Sequence, residues 1–248
     1  MDVPHRHSAY PAPAPPIPLD LTVMSGHPCS YFHDRRATTR AFYAPAVPGE
    51  LYHRFMDAGF RRSGRVIYQP VCVGCRSCVA IRIPVETFTP DKSQRRAWRR
   101  NQDLSVGVGL PTPTGEKFQL YEKYCRHWHG AAETHDYAAF TSFLYESPVE
   151  TLEMTYRDAA GNLLGVGICD VCQESLSSVY FYFDPAAASR SLGTFSALWE
   201  IDFARRLNIP HYYLGYWVNG CGAMQYKANF NPHELLDTDG VWRPAPPR

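Results

Sequence analysis

Between Cys78 and Val85 the chain alternates: Val79, Ile81, Ile83 and Val85 fall on one side, and Ala80, Arg82 and Pro84 on the other. A period of two predicts a strand with one core face and turns Arg82 away from it. Upstream, Leu51, Phe55 and Ala58 recur at helical spacing, and Gly59 stops that helix. His27 to Ala44 reads as loop and short strand, and Val66-Ile67-Tyr68 as a strand that Pro70 ends. Ser93 to Gln102 reads as a basic helix, Ser105 to Leu110 as a strand and Pro111 to Thr114 as a turn. Glu116 to His129 places Phe118, Tyr121, Tyr124 and Cys125 on one helical stripe, and Tyr137 to Leu144 forms a second helix. The pattern then changes to strands over Thr151–Tyr156, Leu163–Val171 and Ser175–Phe183, with a turn over Asp158–Asn162. A helix over Ser191–Leu207, a strand over Tyr212–Trp217 and a short helix over Met224–Phe230 complete the series. Periodicity alone supports an α/β or α+β sheet protein.

Composition adds compartment and charge. The 248 residues carry a net charge of +1, which hides an uneven distribution. Between Arg54 and Arg100 eleven Lys/Arg stand against three acids, Asp57, Glu86 and Asp91. A basic stripe on a near-neutral protein reads as a footprint for phosphate or nucleic acid. Its alternative is a solvated helix face. The run Arg95-Arg96-x2-Arg99-Arg100, with Gln94, Trp98 and Asn101 interleaved, is arginine-dominated, which suits phosphate. No stretch approaches the length of a membrane-spanning helix. Met1 to Pro28, rich in Pro and Ala with His5 and His7, reads as a disordered or polyproline II tail with no apolar signal core. A cytoplasmic, reducing location is expected.

Eight cysteines without a secretion signal point to thiols or metal ligands before disulfides. Cys72-x2-Cys75-x2-Cys78 has ligand spacing, and the fourth position of a ferredoxin-type run is Arg82. Cys29, flanked by His27 and His33, is the candidate fourth ligand for zinc or an iron–sulfur cluster. Buried thiols with no ligand are the alternative. Arg190-Ser191-Leu192-Gly193-Thr194 opens a helix directly after a strand, a turn that lets backbone N–H groups approach a phosphate, or an ordinary start capped by Ser191. Tyr212 to Trp217 and Tyr226 are dense in aromatics, as a stacking wall or as core.

Several long words in fixed order carry a resemblance. They are Cys29-Ser-Tyr-Phe, Gly59-Phe-Arg-Arg-Ser-Gly64, Tyr68-Gln-Pro-Val-Cys-Val-Gly-Cys-Arg-Ser-Cys78 and Phe88-Thr-Pro-Asp-Lys-Ser-Gln-Arg-Arg-Ala-Trp-Arg-Arg-Asn101. Phe181-Tyr-Phe-Asp-Pro185, Arg190-Ser-Leu-Gly-Thr194, Tyr213-Leu-Gly-Tyr-Trp217 and Tyr226-Lys-Ala-Asn-Phe230 follow. The chain resembles the bacterial aminoacyl-tRNA–protein transferases of the aspartate/glutamate leucyltransferase type, related to the arginyl-tRNA–protein transferases. The resemblance implies an α+β protein: an N-terminal cysteine- and arginine-rich part over 29–115 and an acetyltransferase-like mixed sheet over 116–242, with tails at 1–28 and 243–248. It implies transfer of leucine from leucyl-tRNA to the α-amine of proteins beginning with Asp or Glu, creating a destabilising N-terminus for degradation. On that reading Tyr216, Tyr226 and Lys227 line the reacting centre. Arg95, Arg96, Arg99 and Arg100 track the acceptor stem, and Arg190, Ser191, Gly193 and Thr194 grip its tip. Arg40, Arg76 or Arg82 receives the acidic side chain of the target. Cys29, Cys72, Cys75 and Cys78 hold zinc or a cluster that the chemistry itself does not need. The alternatives are an arginyl donor, an acetyl-coenzyme A N-acyltransferase and a non-enzymatic, metal-dependent RNA-binding module.

Overall fold

The computed structural model describes residues 19–128 and 136–245. Along the chain run β1 (Thr22–Pro28), β2 (Arg36–Tyr43), α1 (Gly49–Asp57), β3 (Arg61–Ser63), β4 (Val66–Pro70), β5 (Cys78–Pro84), α2 (Lys92–Arg100) and β6 (Ser105–Gly109). Then come α3 (Gly115–Trp128), α4 (Tyr137–Phe140), β7 (Thr151–Arg157), β8 (Leu163–Val171) and β9 (Ser175–Phe183). The series closes with α5 (Leu192–Arg206), β10 (His211–Val218), α6 (Gly222–Gln225), β11 (Glu234–Leu236) and β12 (Trp242–Pro244). A π-helical turn, Thr141–Tyr145, continues α4, and a 3-10 turn, Tyr226–Asn229, continues α6.

The fold is α+β with two sheets. The smaller has the order β1-β2-β4-β3, the larger β12-β11-β5-β10-β9-β8-β7-β6. β5 and β6 come from the part before residue 115, yet both belong to the larger sheet. The expected tail over 1–28 lies partly outside the described residues, and its last seven form β1, which pairs with β2. Likewise β12 takes in Arg243 and Pro244 of the second expected tail. The larger sheet is covered on both faces. One face packs Ile81, Ile83, Met154 and Leu176 against Phe195, Leu198 and Ile201 of α5. The other divides between two clusters: Val166, Ile168 and Tyr182 lie with Leu120 and Tyr121 of α3. Ala80, Tyr213, Tyr216 and Val218 lie with Tyr52, Phe55 and Met56 of α1.

Two-sided burial explains why β5 reads as half-exposed in sequence and is not. Its Ile81 and Ile83 meet α5, and the alternate residues meet α1 and the smaller sheet, so Arg82 points into the protein. The two sheets are bound by a charge pair with no exposed surface. Arg62 of β3 donates from Nε to Asp170 Oδ2 at 2.7 Å and from Nη2 to Oδ1 at 2.7 Å. Asp170, in β8, also accepts from the Tyr52 hydroxyl and from Thr151 Oγ1, each at 2.8 Å. Every oxygen of the carboxylate is satisfied, the condition under which a buried ion pair is tolerated.

Candidate active site

β10 lies between a parallel and an antiparallel neighbour. Only His211, Tyr212 and Tyr213 pair with β9, opposite Ser175, Leu176 and Ser177. Beyond them β9 follows β8 as far as Phe183, and β10 follows β5 as far as Val218. The parallel strands therefore part after Tyr213, at an irregularity in the β10–β5 register between Tyr213 and Tyr216. Gly215 supplies the φ of 76° that this bulge uses, a left-handed conformation that side chains disfavour. A bulge leaves carbonyls without ladder partners, and cations take them here. Arg61 Nη2 donates to the Gly215 carbonyl at 3.1 Å, and Lys227 Nζ donates to the Tyr216 carbonyl at 3.0 Å.

Lys227 is the chemically distinctive group. Loss of hydration disfavours its ammonium, and the neighbouring Arg61 cation adds to the effect, so the pKa falls to about 7. It therefore exchanges a proton near neutral pH. Tyr216, from the same expected set, is buried, and its hydroxyl donates to the Gly59 carbonyl at 2.7 Å. Burial pushes that phenol far above its ordinary value, so it is an orienting neutral hydroxyl. Tyr226 begins the 3-10 turn that carries Lys227 and is exposed.

Beside Tyr216 opens a cleft of about 670 Å³. Its walls come from both parts of the chain: Arg40 of β2, Gly59, the cysteine loop with Cys75 and Arg76, Tyr216 of β10, and Asp237 after β11. Arg76 is exposed and makes no hydrogen bond or ion pair with the described residues. Arg40 Nε donates to Gln69 Oε1 at 2.8 Å, and Gln69 in turn donates to the Ala58 carbonyl at 2.8 Å. Arg82 does not join them. Its guanidinium is buried between Asp57 at 2.9 Å and Glu234 at 2.6 Å and lies over the Trp242 ring. Two carboxylates already compensate its charge, so the expectation that it receives an incoming acid is corrected to a structural role.

The four expected metal ligands approach one another. The Cys78 thiol, pushed up to about 12 mainly by burial, also feels Cys29, Cys72 and Cys75, and Cys221 as well. They do not form a metal cradle as placed. Among the described residues no three His, Cys, Asp or Glu side chains stand in an arrangement that could hold an ion. Cys72 Sγ instead accepts from the Thr38 backbone N–H at 3.3 Å, and Cys75 Sγ lies 3.5 Å from Ser77 Oγ.

α2 realises the arginine run as expected. Asp91 and Gln94 form a capping box: the Gln94 N–H donates to Asp91 Oδ1 at 2.7 Å, and the Asp91 N–H donates to Gln94 Oε1 at 2.8 Å. Gln94 and Ala97 are buried and Trp98 packs on Phe195, which turns Arg95, Arg96, Arg99 and Arg100 outward. Arg95 donates to the Pro90 carbonyl at 2.6 Å and Arg100 to that of Ser189, whereas Arg96 and Arg99 have no partner among the described residues. Asn101 Nδ2 donates to the Arg190 carbonyl at 2.9 Å, so the end of α2 meets the start of α5. Arg190 is engaged in an exposed ion pair. Both of its terminal nitrogens are held by Asp103, at 2.9 and 2.8 Å. Ser191 does not cap α5 with its side chain: it sits at φ 59°, and its carbonyl accepts from the Thr194 N–H at 3.0 Å. Space beside Gly193 is open within 4 Å of where a Cβ would sit.

Reasoning from the sequence overlooked Arg61. The only signal was its place in the word Gly59 to Gly64, because its partner Gly215 lies 154 residues away.

Two family models match: "Arginine-tRNA-protein transferase, N terminus" over residues 27–96, and the corresponding "C terminus" over 116–237. An aspartate/glutamate leucyltransferase of Hahella chejuensis is 41% identical over 216 residues, covering 86% of this chain and 92% of its own. Another, of Stenotrophomonas maltophilia (strain K279a), is 43% identical over 227 residues, covering 88% and 90%. Among solved structures FemX aligns at a TM-score of 0.44 and 9% identity over 73% of this chain and 64% of its own, a likeness too loose to bear on the reaction. The protein is an aminoacyltransferase, and the chain belongs to the family of aminoacyl-tRNA–protein transferases that includes the aspartate/glutamate leucyltransferases. Its substrates are an aminoacyl-tRNA and a protein. No described helix is long and apolar enough to cross a membrane.

Proposed function

We propose that the protein moves leucine from leucyl-tRNA to the N-terminal α-amine of proteins that begin with Asp or Glu, in the cytoplasm where charged tRNA is made. The amine attacks the ester carbonyl, the new amide forms, and the ribose hydroxyl leaves with the electron pair of the broken C–O bond. An α-amino group titrates near pH 8, so roughly a tenth is neutral at pH 7. On attack its nitrogen becomes cationic and must lose a proton. The single observation that carries the reading is the placement of Lys227: its amine donates to the carbonyl of Tyr216, a residue that borders the arginine-lined cleft, and burial with the Arg61 cation lowers its pKa to about 7. Lys227 takes that proton, and holding amine and ester together supplies most of the remaining acceleration. The leaving alkoxide then takes up a proton, which Lys227 or solvent returns.

The cleft receives the target's first residue. Arg76, exposed and uncompensated, pairs with the side-chain carboxylate, and Arg40 borders the same space. Arg76→Ala is expected to lower kcat/KM for peptides beginning with Asp or Glu by about tenfold to a hundredfold, a range set by one lost charge-assisted pair. Charged-tRNA binding is expected to stay unchanged, and undiminished transfer to acidic peptides would remove Arg76 from the pocket. The outward face of α2 holds the acceptor stem. For Arg96→Ala combined with Arg99→Ala, the slope of log binding constant against log salt is expected to fall by about 1.4 to 1.8, the contribution of two phosphate contacts. Filter binding across a salt series measures it, and an unaltered slope would place the RNA elsewhere.

The defining experiment incubates the full chain with separately charged leucyl- and arginyl-tRNA and peptides starting with Asp, Glu, Lys or Ala. Leucine on the Asp and Glu peptides alone is expected. Arginine transfer, or leucine on every peptide alike, would overturn the proposal.

A further inference from the structure

Three arginines of the N-terminal part are buried. Arg62 has Asp170, and Arg82 has Asp57 and Glu234. Arg61 is equally buried and has no carboxylate within ion-pair distance among the described residues. Its Nη1 donates to the carbonyls of Phe60 at 2.7 Å and Met56 at 3.3 Å, and its Nη2 to that of Gly215 at 3.1 Å. Its guanidinium carbon lies 5.3 Å from the Tyr213 ring centroid and 5.5 Å from that of Tyr216. Its Nε is buried with no partner among the described residues. A buried cation without a counter-ion is costly, and a fold concerned only with stability would place an apolar side chain there.

We infer that Arg61 is a positioning residue of the transfer reaction, clamping the Gly215–Tyr216 bulge of β10 and fixing a permanent cation beside Lys227. The inference rests on Lys227 as the proton acceptor. Arg61 and Lys227 hold consecutive carbonyls of one bulge, and a Cβ added to Gly215 would come within 3.6 Å of Lys227 Nζ. Like charges this close favour the neutral form of whichever group can lose a proton. Guanidinium does not, so the lysine yields. The other titratable group facing Lys227 is Cys221, in the turn before α6, whose thiolate acts in the opposite direction. Arg61 thus adds to the effect of burial in making Lys227 an amine available at working pH. The same clamp keeps Tyr216 in place, with its side chain bordering the cleft and its carbonyl holding Lys227.

The test uses the full chain, with readouts that a purely structural role would not move. Trace acetylation with acetic anhydride across a pH series, read at Lys227 by mass spectrometry, gives its titration midpoint without reference to activity. The pH profile of kcat and the KM for leucyl-tRNA are measured alongside. Arg61→Gln retains hydrogen bonding and loses the charge. Its labelling midpoint is expected to rise by about one pH unit or more, the scale of a close like-charge effect. The acid limb of kcat is expected to follow, with kcat at pH 7 falling about fivefold for the first unit and about tenfold for each further one, and KM unchanged. Arg61→Lys puts a second group able to lose its proton beside Lys227, so the Lys227 midpoint is expected to rise there as well, by about half a unit or more. An unmoved midpoint in folded Arg61→Gln overturns the inference and leaves Lys227 as acceptor intact. A midpoint that rises while the kcat profile stays fixed overturns both. If Arg61→Gln does not fold, Arg61→Lys decides, and a Lys227 midpoint unmoved from the parent's overturns the inference.

Discussion

Lys227→Met is expected to slow leucyl transfer by about 10²- to 10⁴-fold in kcat, the range of a lost general base, with little change in the KM for charged tRNA. The parent pKa sits near 7, lowered by burial and then by Arg61. Below that pH the lysine is an ammonium and cannot accept a proton, so the parent rate should rise as pH passes through about 7. The variant should lose that limb and keep only the shallower dependence of the substrate's own α-amine, near pH 8. Lys227→Arg separates proton transfer from hydrogen bonding. It preserves a donor for the Tyr216 carbonyl and cannot deprotonate, so it should be as slow as the Met variant. A fast Arg variant would reduce Lys227 to a clamp on the bulge.

Stability should move the other way. A lysine whose folded-state pKa is depressed binds fewer protons folded than unfolded between that value and the ordinary one. The parent should therefore gain stability as pH rises from about 7 towards the ordinary lysine range, about 10, as the unfolded chain sheds the proton that the folded one has already lost. Lys227→Met removes the cost of burying the amine. At neutral pH the variant should be no less stable than the parent, so its low activity would not be a folding defect. Urea titrations at pH 6 and pH 9 measure this. A parent stability that declines between those values would contradict the depressed pKa.

The elements that sequence periodicity captured are those whose environment matches their own pattern. α2 follows from a capping box and two buried positions that leave the arginines outward, all within one turn-scale window. β7 to β10 are long and apolar enough to stand out. β3, β11 and β12, at three residues each, carry too little pattern, and their existence depends on strands far away in sequence. Arg82 shows a different limit. Alternation correctly put it on the face opposite Ile81 and Ile83, yet a period of two cannot say what covers that face. α1 and β11 cover it, bringing Asp57 and Glu234, and a residue expected to meet substrate becomes part of the interior. Arg190 is similar: its place after β9 was legible, whereas Asp103, 87 residues earlier, was not. Lys227 entered the candidate set through the word it belongs to. Its depressed titration follows first from its burial and then from Arg61, a residue of a distant strand, and neither is visible in the local sequence.

Asp170→Ala is expected to cost about 3–5 kcal/mol of unfolding free energy, as removing one partner of a fully buried pair strands the other charge. Neither side chain has exposed surface, so solvent cannot compensate Arg62. The Tyr52 hydroxyl also loses its acceptor, which adds to the cost, whereas Thr151 keeps Ser147 Oγ and the Val149 carbonyl within reach. Replacing both partners, Arg62→Met with Asp170→Leu, should recover much of the loss, since two apolar groups of similar bulk need no pairing. Equilibrium urea unfolding of the two single variants and the double variant gives the coupling. Strict additivity would mean the pair is not the link between the sheets. The same pair reaches the reaction through β3, where Arg61 is the neighbour of Arg62 and their side chains go separate ways, one to the bulge and one to β8. β3 pairs with β4 and forms the edge of the smaller sheet, and two contacts tie that edge to the larger one: Asp170 through Arg62 and the Gly215 carbonyl through Arg61. Below its melting temperature the Asp170→Ala protein should therefore show a second defect: lower kcat at pH 7 with the acid limb displaced upward, as Arg61 loosens beside Lys227. The double variant, which refills the space, should restore both the limb and the stability.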